Sequence, residues 1–175
     1  MSIEIKSLET QRLLLRPVVA TDASFLVQLL NTPAWLQYIG DRHVHNEEQA
    51  LTYMRNGPQK SYADHGFGLM LVEQRKDRKP IGLCGLLKRD YLSFPDIGFA
   101  LMPAHEGQGF AHEAAEAVLR DAVHRGLQEV GAITIPNNVR SVRLLEKLGL
   151  SFQRHIAVPP KGEELALYTM RVRVV

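Results

Sequence analysis

The chain has 175 residues with 45% hydrophobic and 23% charged residues, an ordinary globular balance, so we expect a single domain over residues 1–175. The formal net charge is only +2 and the basic residues are scattered, which argues against nucleic acid or a membrane as a partner. Apolar runs stay well below the ~18 residues that cross a bilayer, and the first residues lack an apolar signal core, so we expect a cytoplasmic protein.

In the first half, the patterns predict one strand, two helices and then three strands in an antiparallel meander. These elements cover residues 12–18, 23–30, 46–55, 67–73, 80–87 and 94–102. The sequence Asn56-Gly57-Pro58 is expected to end the second helix. The only cysteine, Cys84, lies within an apolar strand, so we expect a buried thiol rather than a nucleophile.

In the second half, helices and strands alternate before two final strands. The predicted elements are a helix over 110–125, a strand over 130–135, a helix over 138–147, and strands over 151–158 and 165–174. A helix that joins two strands at this spacing is a βαβ crossover. We therefore expect strands 94–102 and 130–135 to run parallel.

A glycine-bearing loop lies between strand 94–102 and helix 110–125. Gly107 and Gly109 remove side chains where backbone N–H groups can turn toward a ligand, and the first turn of the helix favours negative charge, so the loop predicts a site for a phosphorylated cofactor. A P-loop is excluded because no Lys-Ser or Lys-Thr follows. A dinucleotide site is disfavoured because His112 occupies the position of the third glycine.

Three separated motifs resemble the GNAT superfamily of acyl-CoA N-acetyltransferases, in the branch that acetylates ribosomal-protein N-termini (the RimJ/RimL type). The motifs are Leu8-Glu-Thr-Gln-Arg-Leu-Leu-Leu-Arg-Pro17, Asp96-Ile-Gly-Phe-Ala-Leu with Gly107-Gln-Gly-Phe-Ala-His-Glu-Ala, and Asn138-Val-Arg-Ser141 with Leu144-Leu-Glu-Lys-Leu-Gly149. The resemblance covers essentially the whole chain. It implies an α+β fold in α/β/α layers, with a mixed, mostly antiparallel sheet splayed between two central parallel strands.

The resemblance also implies acetyl-CoA as co-substrate and a set of residues that bind it. The set comprises Phe99, Ala100, Leu101, Met102, Gly107, Gln108, Gly109, Phe110, Ala111, His112, Asn138 and Ser141. A backbone N–H near the end of strand 99–102 would stabilise the oxyanion. The chain departs from the family at Glu106, where relatives often have Gln, Arg or Trp, and at Leu145, where many have a tyrosine as proton donor.

Ser141 and Asp96 are the candidate catalytic residues. Ser141 would donate a hydrogen bond to the leaving thiol, whose pKa near ~8.5 makes a strong acid unnecessary; its alternative role is within the Asn138 helix cap. Asp96 would accept the amine's proton through water, and the alternative is an exposed acid at the start of a strand. Asn138 would hold the pantetheine arm, with a plain helix cap as its alternative.

The acceptor remains open between three alternatives. An α-amine with pKa ~7.7–8.0 is partly neutral at physiological pH, so a site without a strong base favours protein N-termini. A small-molecule amine, or a sensor that binds acetyl-CoA without turnover, is the alternative.

Aromatic and acidic side chains from the first helices either line the acceptor pocket or serve as ordinary packing and solvated acids; they are Trp35, Tyr38, Glu47 and Glu48.

The sequence predicts no metal site and leaves the oligomeric state open. The pair His43-x-His45 lies in a loop, and we expect no third ligand near it. A monomer and a homodimer are equally compatible with these patterns.

Overall fold

The structure, a computed structural model, describes residues 4–172 and contains one eight-stranded sheet with helices on both faces. The strands are β1 (Leu8–Glu9), β2 (Leu13–Pro17), β3 (Leu69–Gln74), β4 (Pro80–Leu87), β5 (Asp96–Leu101), β6 (Glu129–Thr134), β7 (Ser151–Val158) and β8 (Glu163–Arg171). The helices are α1 (Ala23–Leu30), α2 (Pro33–Tyr38), α3 (Glu47–Met54), α4 (Lys60–His65), α5 (Phe110–His124) and α6 (Val139–Lys147). None of these helices is long and apolar enough to cross a bilayer.

The sheet is mixed, with strand order β1-β2-β3-β4-β5-β6-β8-β7. All neighbouring strands in this order pair antiparallel except β5 and β6, which run parallel. The predicted meander of β3, β4 and β5 and the predicted crossover through α5 are both confirmed. The described part of the last strand ends at Arg171, and residues 173 and 174 of the prediction lie outside the described residues.

The prediction that Asn56-Gly57-Pro58 ends the second helix is wrong. The chain continues from α3 through a π-helical turn over Arg55–Gln59 into α4, and the helix ends at Gly66 with φ +75°. A wider turn accommodates Pro58, because the proline ring lacks an N–H and would clash with the carbonyl in a regular α-turn. Pro58 is buried there.

Helix α2 was not predicted from the sequence, although its start carries a recognisable signal. The Thr32 hydroxyl accepts a hydrogen bond from the Trp35 N–H at 3.4 Å, and Pro33 occupies the first helical position. The helix has only six residues, so it shows too little apolar periodicity for a sequence pattern to detect.

Two buried hydrophobic clusters pack the helices against the two faces of the sheet. One joins α5 and α6 to one face of the sheet, and the other joins α1 to α4 to the opposite face through Leu71 and Leu83. Cys84 belongs to the first cluster, is 1% exposed, and has its pKa raised to about 12 by burial. The expectation of a buried thiol is confirmed, and its raised pKa disfavours a role as nucleophile.

The parallel pair β5–β6 opens immediately after it forms. The strands share one register pair, Asp96 with Gly131, and the Gly131 N–H donates to the Pro95 carbonyl at 2.9 Å. A Cβ on residue 131 would lie 2.5 Å from Cε2 of Phe94, so glycine lets the Phe94 ring cover this junction. Beyond it the strands diverge and leave a cleft at their carboxyl ends.

A hydrogen-bond network ties the start of α5 to the chain before β2. The Glu113 carboxylate accepts from the Thr10 hydroxyl at 2.6 Å, from the Arg12 backbone N–H at 2.8 Å and from Arg12 Nε at 2.7 Å. Burial alone would raise the pKa of Glu113, but these donors outweigh burial and lower it. The ionised carboxylate therefore stabilises the junction on which the glycine loop rests.

We predict that Glu113→Gln lowers the free energy of unfolding at pH 7 by about 1–3 kcal/mol, because a neutral amide replaces charge-assisted bonds. The native pKa lies below the unfolded one. The stabilisation is therefore complete above the unfolded value of ~4.3 and is lost as pH falls through the lower native pKa. Urea denaturation at pH 7 and in acid measures both effects. Glu116→Gln, a half-exposed acid on the same helix, is the control, and equal losses in both variants would contradict the prediction.

Candidate active site

The cleft between β5 and β6 has a volume of about 620 Å³. Nearly all the site residues predicted from the sequence line it: Asp96, Phe99, Ala100, Leu101, Gly107, Gly109, Phe110, Ala111, His112, Asn138 and Ser141. Met102 and Gln108 do not line it. The Met102 N–H donates to the Ile81 carbonyl at 2.8 Å, and the Gln108 side chain donates to the Ala104 carbonyl at 3.0 Å.

The edge of β5 offers backbone groups to the cleft. In an antiparallel pair, the N–H and C=O groups of alternate residues face the partner strand. Since the Met102 N–H faces β4, those of Phe99 and Leu101 face away from β4, toward the side where β6 has diverged. The oxyanion donor that the resemblance implies is thus narrowed to Phe99 or Leu101.

The glycine loop leads into α5 with two left-handed residues, Gly107 at φ +72° and Gly109 at φ +81°. Gly109 is the N-cap of α5, and no side chain caps this end of the helix. The Arg12 guanidinium lies 4.3 Å from the centre of the Phe110 ring and donates to the Gln108 carbonyl at 3.0 Å. This end of the helix therefore keeps first-turn N–H groups for an anion while Arg12 fixes the loop.

Glu106, the acid in the glycine loop, does not present a bare carboxylate to the cleft. Its Oε2 atom accepts from Arg140 Nη1 of α6 at 2.6 Å. Arg143 and Lys147 of the same helix also line the cleft. The cationic side chains of α6 thus outnumber the single acid that faces them, so this half of the cleft favours an anion.

Asn138 and Ser141 lie together at the start of α6. The Asn138 Oδ1 atom accepts a hydrogen bond from the Ser141 N–H at 3.3 Å, so Asn138 is the N-cap that the alternative interpretation predicted. Both residues also line the cleft. The Ser141 hydroxyl donates to none of the groups in residues 4–172, which leaves it available to a ligand.

Asp96 lies at the junction of β5 and β6 and is only 1% exposed, so the alternative of an exposed acid at the start of a strand is wrong. Arg89 Nε donates to both carboxylate oxygens, at 3.1 and 3.0 Å. Burial raises the pKa of Asp96, and the Arg89 guanidinium opposes that rise without cancelling it. Arg89 was not singled out from the sequence. Leu87 pairs with Asp96 across β4 and β5, so Arg89, two residues further along the chain, lies close to the Asp96 carboxylate.

The opposite half of the cleft is formed by residues from α2, α3 and the loop between them. Of the four residues with two alternative roles, Trp35 and Tyr38 line it, whereas Glu47 and Glu48 do not. Polar residues that the sequence did not single out complete this wall; they are Thr32, Arg42 and Tyr53. Burial raises the pKa of Tyr53, and the charges of Arg42 and Arg89 oppose the rise.

The expectation that no third ligand lies near His43 and His45 is wrong. Ligand atoms of Asp41, His43 and His45 lie within 4.8 Å of one another. All three residues are exposed, and His43 Nδ1 lies 3.3 Å from Asp41 Oδ2. The arrangement is that of an exposed acid beside an imidazole in a loop.

Comparison with known proteins places this geometry in a family. The family model described as "Acetyltransferase (GNAT) domain" matches residues 12–151. The "Uncharacterized N-acetyltransferase YoaA" of Bacillus subtilis is 28% identical over 145 residues, 81% of each chain. An acetyltransferase from Agrobacterium tumefaciens superimposes with a TM-score of 0.80 at 22% identity, over 97% of this chain and 96% of that one.

A further structure with the same fold contains coenzyme A. It is RimL, a ribosomal L7/L12 alpha-N-protein acetyltransferase, with a TM-score of 0.82 at 16% identity over 95% of this chain and 98% of that one. The predicted α+β fold, with its mixed sheet opened at one parallel pair, is therefore confirmed. Because the family model covers far more than half of the sequence, the chain belongs to the GNAT acetyltransferase family and is an acetyltransferase.

Proposed function

We propose that the protein transfers the acetyl group of acetyl-CoA to the α-amine of a protein N-terminus, by direct attack in a ternary complex. The observation that carries this proposal is the cleft, where the free edge of β5 lies between the uncapped start of α5 and a separate aromatic wall. The likeness to RimL, whose substrate is a protein α-amine, supports the choice of acceptor.

The cofactor half of the cleft suits the chemistry of acetyl-CoA. Its pyrophosphate would lie at the first turn of α5, where Gly107 and Gly109 allow close approach to backbone N–H groups. Arg143 and Lys147 would face the remaining phosphate charge. The peptide-like pantetheine arm would extend along β5 as an added strand, bonded to the free groups of Phe99 and Leu101.

Acetyl transfer needs a neutral amine, a stabilised oxyanion and a leaving thiolate. We assign oxyanion stabilisation to the backbone N–H of Phe99 or Leu101, because a backbone donor requires no particular side chain. The amine nitrogen bonds to the carbonyl carbon, the C–S bond breaks, and the Ser141 hydroxyl donates to the departing sulfur. Asp96 receives the amine's proton through water, and burial favours this role by raising its pKa toward the working range.

Gly109→Ala should weaken acetyl-CoA binding about tenfold. A Cβ there would be strained at φ +81° and would lie 3.3 Å from Arg12 Nη2, so the loop and its N–H groups would shift. Gly126→Ala is the matched control, because Gly126 has φ +76° with open space around it and lies outside the cleft. Isothermal titration calorimetry measures both affinities. Equal affinities in the two variants would refute a phosphate site at Gly109.

Ser141→Ala should lower kcat about 10- to 100-fold with little change in acetyl-CoA affinity, because only the departing thiolate loses its donor. Ser151→Ala, an exposed strand serine, should leave kcat unchanged. A normal kcat in Ser141→Ala would leave Ser141 with no catalytic role.

Asp96→Asn should abolish one acidic limb of the pH–rate profile. A base must be ionised to act, so wild-type activity should fall as pH drops through the raised pKa of Asp96, above the ordinary ~3.9. The limb of the acceptor amine itself, near ~7.7–8.0, should remain. The profile of kcat/KM against pH tests this, and an unchanged limb would exclude Asp96 as the base.

The acceptor is tested by thiol release from acetyl-CoA across a panel of amines. Peptides with a free α-amine should react faster than lysine peptides with blocked N-termini, polyamines or aminoglycosides, because the α-amine is the more easily neutralised. Turnover confined to a small amine would overturn the acceptor class. Tight acetyl-CoA binding with no release for any amine would instead identify a sensor.

A further inference from the structure

The acceptor wall is rich in hydrogen-bond donors and poor in acceptors. Arg42, in the loop between α2 and α3, lines the cleft, and its guanidinium forms no ion pair and no hydrogen bond with the residues between 4 and 172. Among the described residues of this half, Asp96 is the sole carboxylate, and both its oxygens already accept from Arg89. An unpaired guanidinium thus faces the space that the acceptor would fill.

Two aromatic donors accompany the guanidinium groups. Burial raises the pKa of Tyr53 despite the charges of Arg42 and Arg89, so its hydroxyl keeps its proton at neutral pH. Trp35 is 5% exposed, and its Nε1–H has no hydrogen-bond partner among the residues that the structure describes. That nitrogen is itself buried, so the donors left to a ligand on this wall are the Arg42 guanidinium and the Tyr53 hydroxyl. The wall therefore suits a ligand group that accepts hydrogen bonds.

We propose that this wall binds a carboxylate of the acceptor, held by Arg42 close to the amine that is acetylated. The inference rests on the proposed function and names its substrate class: α-amines with a carboxylate in the first two residues. The ammonium end would lie toward Asp96 at the base of the cleft, and the carboxylate toward Arg42 at its opening. The carboxylate would come from an acidic second side chain or from the free C-terminus of a very short acceptor.

Matched acceptors that differ by one charge test the proposal. One pair is a peptide that begins Ser-Glu and its Ser-Gln counterpart; a second is the dipeptide Ser-Ala with a free or an amidated C-terminus. At saturating acetyl-CoA, in at least one pair the acceptor with the extra carboxylate should have a kcat/KM about 10- to 100-fold higher than its neutral partner. Most of this difference should come from a lower KM. The pair that shows the preference identifies the source of the carboxylate.

Variants of Arg42 assign the preference to this residue. Arg42→Gln should abolish it, and Arg42→Lys should keep part of it because the charge remains without the planar fork. Arg120→Gln, an exposed arginine of α5 outside the cleft, should leave the preference intact. The preference should also shrink as salt rises, since an exposed cation is screened.

A binding measurement separates failure of this inference from failure of the proposed function. Trp35 is the only tryptophan and lines the acceptor wall, so its fluorescence in the complex with free CoA reports acceptor binding without turnover. If the acidic acceptors bind more tightly than their neutral partners, and Arg42→Gln abolishes this difference, the inference is supported even if no amine is acetylated. Equal binding and equal turnover of acid and neutral partners, in wild type and in Arg42→Gln, would overturn the inference while leaving the enzyme assignment untouched.

Discussion

The single bridge between β5 and β6 is the constraint on which the rest of the structure depends. Parallel strands normally continue their ladder, because unpaired backbone groups in a sheet interior are costly. Here the ladder stops at Asp96 and Gly131, so the outward-facing backbone groups of Phe99 and Leu101 have no partner strand among residues 4–172. A ligand with peptide-like groups can satisfy them. The cleft thus stays open because β5 and β6 diverge, and the backbone groups that would pair them are left for a ligand.

Among the described residues, Asp96 and Glu106 are the carboxylates that line the cleft, and each is paired with an arginine. Asp96 is paired with Arg89, and Glu106 is paired with Arg140. Buried Asp96 would be strongly destabilising without its partner, whereas the Glu106 pair lies near solvent and contributes little to stability. Because both acids are paired, the electrostatic potential of the cleft is positive. It comes from Arg42 at one end and from Arg143 and Lys147 of α6 at the other.

Much of the fold could be predicted because the elements that frame the cleft have strong local signals. The periodicity of α5 and the Gly107 and Gly109 loop predicted the uncapped helix start that lines the cleft, and the crossover rule predicted the parallel pair. The prediction failed at Pro58, where a π-turn absorbs a residue that normally ends helices. Arg89 and Arg42 were not singled out from the sequence, since only strand register and the path of a loop bring them to the site.

The two arginines that the sequence could not place differ in what the fold requires of them. Arg89 neutralises a carboxylate at the foot of the opened sheet, so losing its charge would leave a buried, unpaired acid. Arg42 is exposed, lies in a connecting loop and supports no other described side chain. It can therefore change without loss of the scaffold, as expected of a position that selects the acceptor. Under the proposed function, the residue that supports catalysis would be constrained by the sheet, whereas the residue that selects the acceptor would be free to vary in a loop of the same cleft.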